Sequence, residues 1–358
     1  MRGGRWLTLG LTGAGAAAAA VTAGFVVERR VERFRSAGAA GADALGARRG
    51  EGTSVVADDG VVLHAEVDEA SPYAADPVPG EPTIVFVHGY ALNLDCWHFQ
   101  REFFRGKHRL VFYDQRSHGR SGRSEDEHAT IDQLGDDLRQ VLAQVVPEGP
   151  VVLVGHSMGG MALMAFADRH PDLFAERVVG AALISTTAGG LKTYQLLSRL
   201  VPDRIGAQVG PRVVAALART PQLVDTVRRR GSNVGFLVAR QFAFGGDVPA
   251  SYAEFLDNML AQTPFEVLAQ FFPNFDTLDR YTGLAAFGRV PTYVITGTAD
   301  QLTSPQLSRT MADRIPGAVL VECPGAGHMV ILEQADRVDA ALERLVVTAL
   351  GDRPTTVP

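Results

Sequence analysis

Along most of the chain, apolar residues gather into short unbroken runs separated by longer stretches with helical spacing. The segment TSVVADDGVVLHAEV (53–67) carries β-branched runs on either side of Asp59-Gly60, a pattern that predicts a hairpin and hence the first two strands. After a Pro-rich turn at 72–82 comes TIVFVHG, which is apolar without alternation and suits a strand buried on both faces. The same signature recurs in RLVFYD (109–114), VVLVGHS (151–157), VVGAALIS (178–185) and PTYVITG (291–297), with helical stretches between most of them, and AVLVEC (318–323) adds a last strand. This alternation predicts an α/β fold: a mostly parallel eight-stranded sheet with helices on both faces. No internal repeat is visible.

The rhythm breaks once. Residues 187–289, between VVGAALIS and PTYVITG, greatly exceed the roughly 2–6 residues of an ordinary αβ connection. The expected organisation is therefore a core of 53–186 and 290–350 carrying an inserted helical cap at 187–289. That insertion holds nine of the eighteen phenylalanines, among them Phe236, Phe242, Phe255, Phe265 and Phe271, in 103 of 358 residues. Some must fill the cap's own core, so the enrichment is a modest pointer to a pocket for an apolar acyl or aromatic group. Arg228, Arg229 and Arg230 read as a solvated face, with contact to anionic lipid as the functional alternative.

The N-terminus is a separate piece, residues 1–35. From Trp6 to Val27 lie 22 residues without a charge, and at about 1.5 Å per residue that is enough to cross a bilayer. The run is mostly Ala and Gly, which makes insertion only marginally favourable, and the small residues near Ala23 also suit a signal-peptidase site. An uncleaved anchor is the leading expectation, giving a membrane-associated protein that contacts the bilayer through residues 6–27. A cleaved signal, leaving a secreted protein, and an Ala-rich soluble arm stay open. Residues 36–52, rich in Ala, Gly and Arg, read as a linker.

At 46% hydrophobic and 21% charged, 358 residues suffice for one large core with an insertion. A net charge of −6 without a basic stripe argues against a nucleic-acid partner. Cys96 and Cys323 form at most one bridge and read as small buried hydrophobes. Neither has metal-ligand spacing and the nine histidines are scattered, so no metal site is expected.

The candidate chemistry sits where three predicted strands end. Gly155-His156-Ser157-Met158-Gly159 fits GxSxG, directly after VVLVGH and before the helix-like MGGMALMAFADRH. A chance match in a Gly-rich chain is the bland reading, but chance does not select a strand end. The sharp turn strains the serine and requires small neighbours, which leaves its hydroxyl projecting. Serine is a weak nucleophile near neutral pH and needs a base held in one tautomer by a third group. Asp300, in GTAD after PTYVITG, follows Ser157 by 143 residues, and His328, in GAGH, follows 28 later. The order Ser, Asp, His suits this strand arrangement, His328 is the only histidine after residue 170, and Asp313, already inside the next predicted helix, is a remote competitor for the acid. The predicted roles are nucleophile for Ser157, general base for His328 and orienting acid for Asp300.

On these residues the chain resembles the α/β-hydrolase superfamily over essentially all of 53–350. His88-Gly89 is similar to that family's HG motif, which implies an oxyanion hole made by the backbone N–H groups of Tyr90 and Met158. The segment Asp114-Gln115-Arg116-Ser117-His118-Gly119-Arg120-Ser121 is similar to DxRGxGxS, with Ser117 where glycine is usual. His88, His118 and His156 are read as scaffold. The resemblance implies hydrolysis of a small-molecule carboxylic ester through an acyl-enzyme, with no cofactor or metal. It leaves open acyl transfer to alcohols or thiols and cofactor-free haloperoxidase or perhydrolase chemistry on the same triad. A non-catalytic binding protein on a vestigial fold is a further alternative, against which the intact triad argues. Dehalogenase and epoxide-hydrolase relatives carry aspartate at the elbow, where this chain has Ser157.

Overall fold

The computed structural model describes residues 45–71, 81–191 and 242–351. Eight strands form one sheet: β1 (Glu51–Val56), β2 (Val62–Asp68), β3 (Thr83–Val87), β4 (Leu110–Tyr113), β5 (Val151–His156), β6 (Val178–Ile184), β7 (Thr292–Gly297) and β8 (Val319–Cys323). Their order is β1-β2-β4-β3-β5-β6-β7-β8. Only the pairings of β2 with β1 and with β4 are antiparallel; β4, β3, β5, β6, β7 and β8 run parallel. The β1-β2 connection is the hairpin read at Asp59-Gly60, with Gly60 in the left-handed region at φ 85° and Ala57 and Val61 closing the turn by a 2.8 Å hydrogen bond.

The unbroken apolar runs are explained by burial on both sides. On β3, Val85 and Val87 enter one core while Ile84 and Phe86 enter the other; on β5, Val151 and Leu153 oppose Val152 and Val154 in the same way. Among the helices, α1 (His98–Phe104) and α11 (Ala335–Gly351) cover one face, and α2 (Ile131–Val145) and α3 (Met158–Arg169) the other. The short α4 (Pro171–Arg177) leads into β6. Between β6 and β7 the described residues form an inserted helical region: α5 (Ala250–Gln262), α6 (Phe265–Phe271), α7 (Asn274–Thr277) and α8 (Leu284–Phe287). After β7 come α9 (Pro305–Arg314), β8, the short α10 (Val330–Glu333) and α11. Both cysteines are free and fully buried, as small apolar residues of the core shared by α1 and α11.

Ser117, the departure from the expected glycine, sits at φ 64°. Its position demands the left-handed conformation that glycine adopts at least cost. Its hydroxyl accepts from the Ser124 N–H at 2.8 Å, a contact glycine lacks.

The expectation of a membrane-associated chain is corrected. Among the described residues no helix is long and apolar enough to cross a membrane. The longest described helix, α11, has 17 residues and is interrupted by Asp336, Arg337, Asp339, Glu343 and Arg344, whereas a span needs about 20 mostly apolar residues. The segment 6–27, on which bilayer contact and the secreted alternative both rested, lies outside the described residues, as do Arg228–Arg230.

Candidate active site

Ser157 lies between the end of β5 and the first turn of α3, at φ 53° and ψ −119°, a conformation non-glycine residues rarely adopt. Its surroundings over-determine it. Its N–H donates to the Ile184 carbonyl of β6 at 2.9 Å, and its carbonyl accepts from the Gly160 N–H at 2.9 Å and the Thr186 hydroxyl at 2.7 Å. A Cβ on Gly159 would strike the Val87 carbonyl, so glycine there lets α3 start directly against the end of β3. Three strand ends thus converge on one turn.

The loops after β7 and β8 bring Asp300 and His328 to that turn. His328 Nε2 is 3.0 Å from Ser157 Oγ, and His328 Nδ1 is 2.9 Å from Asp300 Oδ2. Asp300 is buried, and burial, the largest influence on its carboxyl, raises it. His328 and the Thr303 side chain and backbone together outweigh that influence and hold the carboxyl below its ordinary value. The donors are explicit: Thr303 Oγ1 to Oδ2 at 2.8 Å, and the N–H groups of Leu302 and Thr303 to Oδ1 at 2.8 and 2.9 Å. Thr303 Oγ1 is also 3.3 Å from His328 Nδ1. Asp313, the remote competitor, is exposed on α9. Sequence reasoning missed Thr303, although an Asp accepting from the N–H groups two and three residues on is a common turn that D-x-x-T announces.

The turn after β3 lies beside the serine: a Cβ on Gly89 would be 3.1 Å from Ser157 Cβ. Tyr90 follows in that turn and Met158 opens α3, where first-turn N–H groups have no intrahelical acceptor. The β3 turn is bound to the inserted helices. Tyr90 donates its hydroxyl to the Leu268 carbonyl of α6 at 2.5 Å and meets Phe275 edge-on at 5.1 Å. Thr263 Oγ1 reaches the Ala91 carbonyl at 3.2 Å.

His88, His118 and His156 are fully buried. Burial pushes His88 down to about 4 and His118 and His156 down to about 3, so all three are neutral near pH 7. His88 Nε2 accepts the Gln115 N–H at 2.9 Å, which fixes its proton on Nδ1, 2.8 Å from the Gly89 carbonyl. His156 Nε2 lies 3.0 Å from the His328 carbonyl, bracing the histidine loop from below. Among the described residues, no group of three or more His, Cys, Asp or Glu side chains is placed to hold a metal ion.

The sequence model of the alpha/beta hydrolase family matches residues 84–341. A monoacylglycerol lipase from Mycolicibacterium smegmatis is 26% identical over 265 residues, covering 71% of this chain and 84% of the lipase. Methylesterase 8 from Arabidopsis thaliana is 24% identical over 250 residues, covering 68% of this chain and 82% of the esterase. Among solved structures, the enol-lactonase from Burkholderia xenovorans superposes with a TM-score of 0.64 at 24% identity, covering 82% of this chain and 100% of the other. With the family model spanning well over half of the sequence, from β3 into α11, the chain belongs to the alpha/beta hydrolase family.

Proposed function

We propose that this chain hydrolyses carboxylic esters through an acyl-enzyme on Ser157, with His328 as general base and Asp300 as orienting acid. The observation that carries this reading is the continuous Asp300–His328–Ser157 relay, at 2.9 and 3.0 Å, ending on a serine in a strained strand-to-helix turn. Its curated relatives, an esterase and a lipase by name, support the ester as substrate class.

In the reaction, His328 Nε2 takes the proton from Ser157 Oγ as the oxygen attacks the ester carbonyl. The developing imidazolium is stabilised by Asp300, whose depressed carboxyl stays ionised. The oxyanion is received by the N–H groups of Tyr90 and Met158, each contributing roughly 3–4 kcal/mol to lowering the barrier. His328 then protonates the leaving alcohol and afterwards activates the water that frees the acyl group. We read residues 187–289 as a cap that sets substrate choice and favours an apolar acyl or aromatic group. Its described surface near the β3 turn is aromatic, with Phe271 and Phe275 beside Tyr90 and His118.

The test is labelling with a fluorophosphonate probe, wild type beside Ser157→Ala, followed by turnover of p-nitrophenyl esters of increasing chain length. Labelling of the wild type alone, with rates that rise with acyl length, is the expected result. A folded wild type that neither labels nor turns over any ester would overturn the assignment.

A further inference from the structure

Glu333, at the end of α10, lies five residues beyond His328 and holds two separate backbone segments with one carboxylate. Its Oε1 accepts from the Gly327 N–H at 2.7 Å, the residue directly before His328. Its Oε2 accepts from the Gly245 N–H at 2.9 Å, in the described part of the inserted region ahead of α5. Burial, the largest influence on this carboxyl, raises it, and the N–H groups of Gly245, Gly327 and Gly246 act against that rise. Around it the two segments touch along their backbones. The Met329 N–H donates to the Ala243 carbonyl at 2.9 Å, and a Cβ on Gly245 would lie 2.6 Å from Ala326 C and Gly327 N. A carboxylate is the one common side chain that accepts from both sides without offering a proton. Charge-assisted bonds of this kind are about twice as strong as neutral ones.

We infer that Glu333 is a positioning residue that sets His328 against Ser157 and ties the placement of the inserted region to that geometry. The inference rests on the reading of His328 as general base. With the carboxylate in place, the backbone on one side of His328 is fixed to α10 and to the inserted segment. His156 Nε2 holds the His328 carbonyl on the other side. Glutamine at 333 keeps one acceptor and turns an N–H₂ group toward the other amide, so one of the two segments is released. A displacement of about 1 Å in a reacting group costs up to about a hundredfold in rate.

The experiment compares the wild-type full chain with Glu333→Gln by fluorophosphonate labelling, reading both the end point and the rate constant per labelled site. A residue that merely supports the fold lowers the labelled fraction and leaves the rate per competent site unchanged. The expected result is full labelling of Glu333→Gln at a rate reduced about tenfold or more, with a matching fall in kcat for p-nitrophenyl butyrate and a rise in KM that grows with acyl length. Labelling at the wild-type rate per site overturns the inference. A wild type that does not label at Ser157 overturns the proposed function instead. Should Glu333→Gln not fold, native-state hydrogen exchange of the wild type decides. Matched protection of the Gly245 and Gly327 amides is expected of a shared acceptor, and an unprotected Gly245 amide overturns it.

Discussion

The orienting carboxylate of Asp300 is itself oriented. Thr303 contributes two of its donors, and the hydroxyl lies between Asp300 Oδ2 and His328 Nδ1, at 2.8 and 3.3 Å. Replacing Thr303 by Val keeps the shape and removes the hydroxyl, leaving Oδ2 to His328 alone. The expected outcome is a fall of about tenfold in kcat with KM little changed, read by steady-state kinetics on a short ester; a kcat within twofold of wild type would show that the backbone donors suffice. Asp300→Asn presents the wrong group to Nδ1 and is expected to lower kcat by about 10⁴-fold. Ser157 and His328 were legible as candidates because each lies in a Gly-rich turn, and Asp300 because it follows directly on the end of an apolar strand run in the expected order. Thr303 was hidden in a common turn. Glu333 was hidden for a different reason: its partners Gly245 and Gly327 are brought together only by the insertion folding back on the histidine loop.

Local patterns set the elements and close backbone approach sets their spacing, as the contact of α2 with α3 illustrates. Gly135 lies inside α2, where alanine is intrinsically better by roughly 0.5–1 kcal/mol. A Cβ there, however, would lie 2.7 Å from the Phe166 N and 2.8 Å from the Ala165 C of α3. Backbone cannot move aside as a side chain does, and overpacking of this kind costs about 1–3 kcal/mol, so packing outweighs propensity. Gly135→Ala is expected to lower Tm by several degrees in a thermal melt; an unchanged or higher Tm would mean the helices separate without penalty. The central strands β3 to β7 were legible because a strand buried on both faces leaves an unbroken run such as VVLVGH, the half-exposed β1 and β2 because Asp59-Gly60 supplies the turn between two β-branched runs, and the edge strand β8 from its short apolar run AVLVEC. The helices α5 to α8 were legible only as a gap too long for a connection. They are held by contacts such as Tyr90 with Leu268 at the β3 turn and Phe287 with Phe174, which no local pattern carries.

Over the whole molecule, the buried titratable groups set how stability depends on pH, and they act in opposite directions. His88, His118 and His156 have folded values of about 4, 3 and 3 against an ordinary 6.5, so the unfolded chain binds the extra protons. Their contribution is complete above pH 6.5 and is lost as pH falls, down to about 4 for His88 and about 3 for His118 and His156. By pH 5 that amounts to about 2 kcal/mol for each histidine, and about 6 kcal/mol for the three is comparable with the whole stability of a typical domain. Asp339 opposes them. Buried on α11 with Gln100 Nε2 at 2.9 Å as its partner, its carboxyl is pushed up by burial to about 7. The folded chain therefore gains a proton there as pH falls from 7 to 5, which adds about 2 kcal/mol and offsets roughly one histidine. The net expectation is a steep fall in Tm between pH 7 and 5, followed by calorimetry. His118→Asn, which removes one buried imidazole and keeps a polar partner for the Arg116 carbonyl, is expected to make that fall shallower. Asp339→Asn, which removes the opposing group, is expected to make it steeper. Curves for the two variants that run parallel to wild type would mean that neither His118 nor Asp339 changes its protonation between the folded and unfolded states in this range.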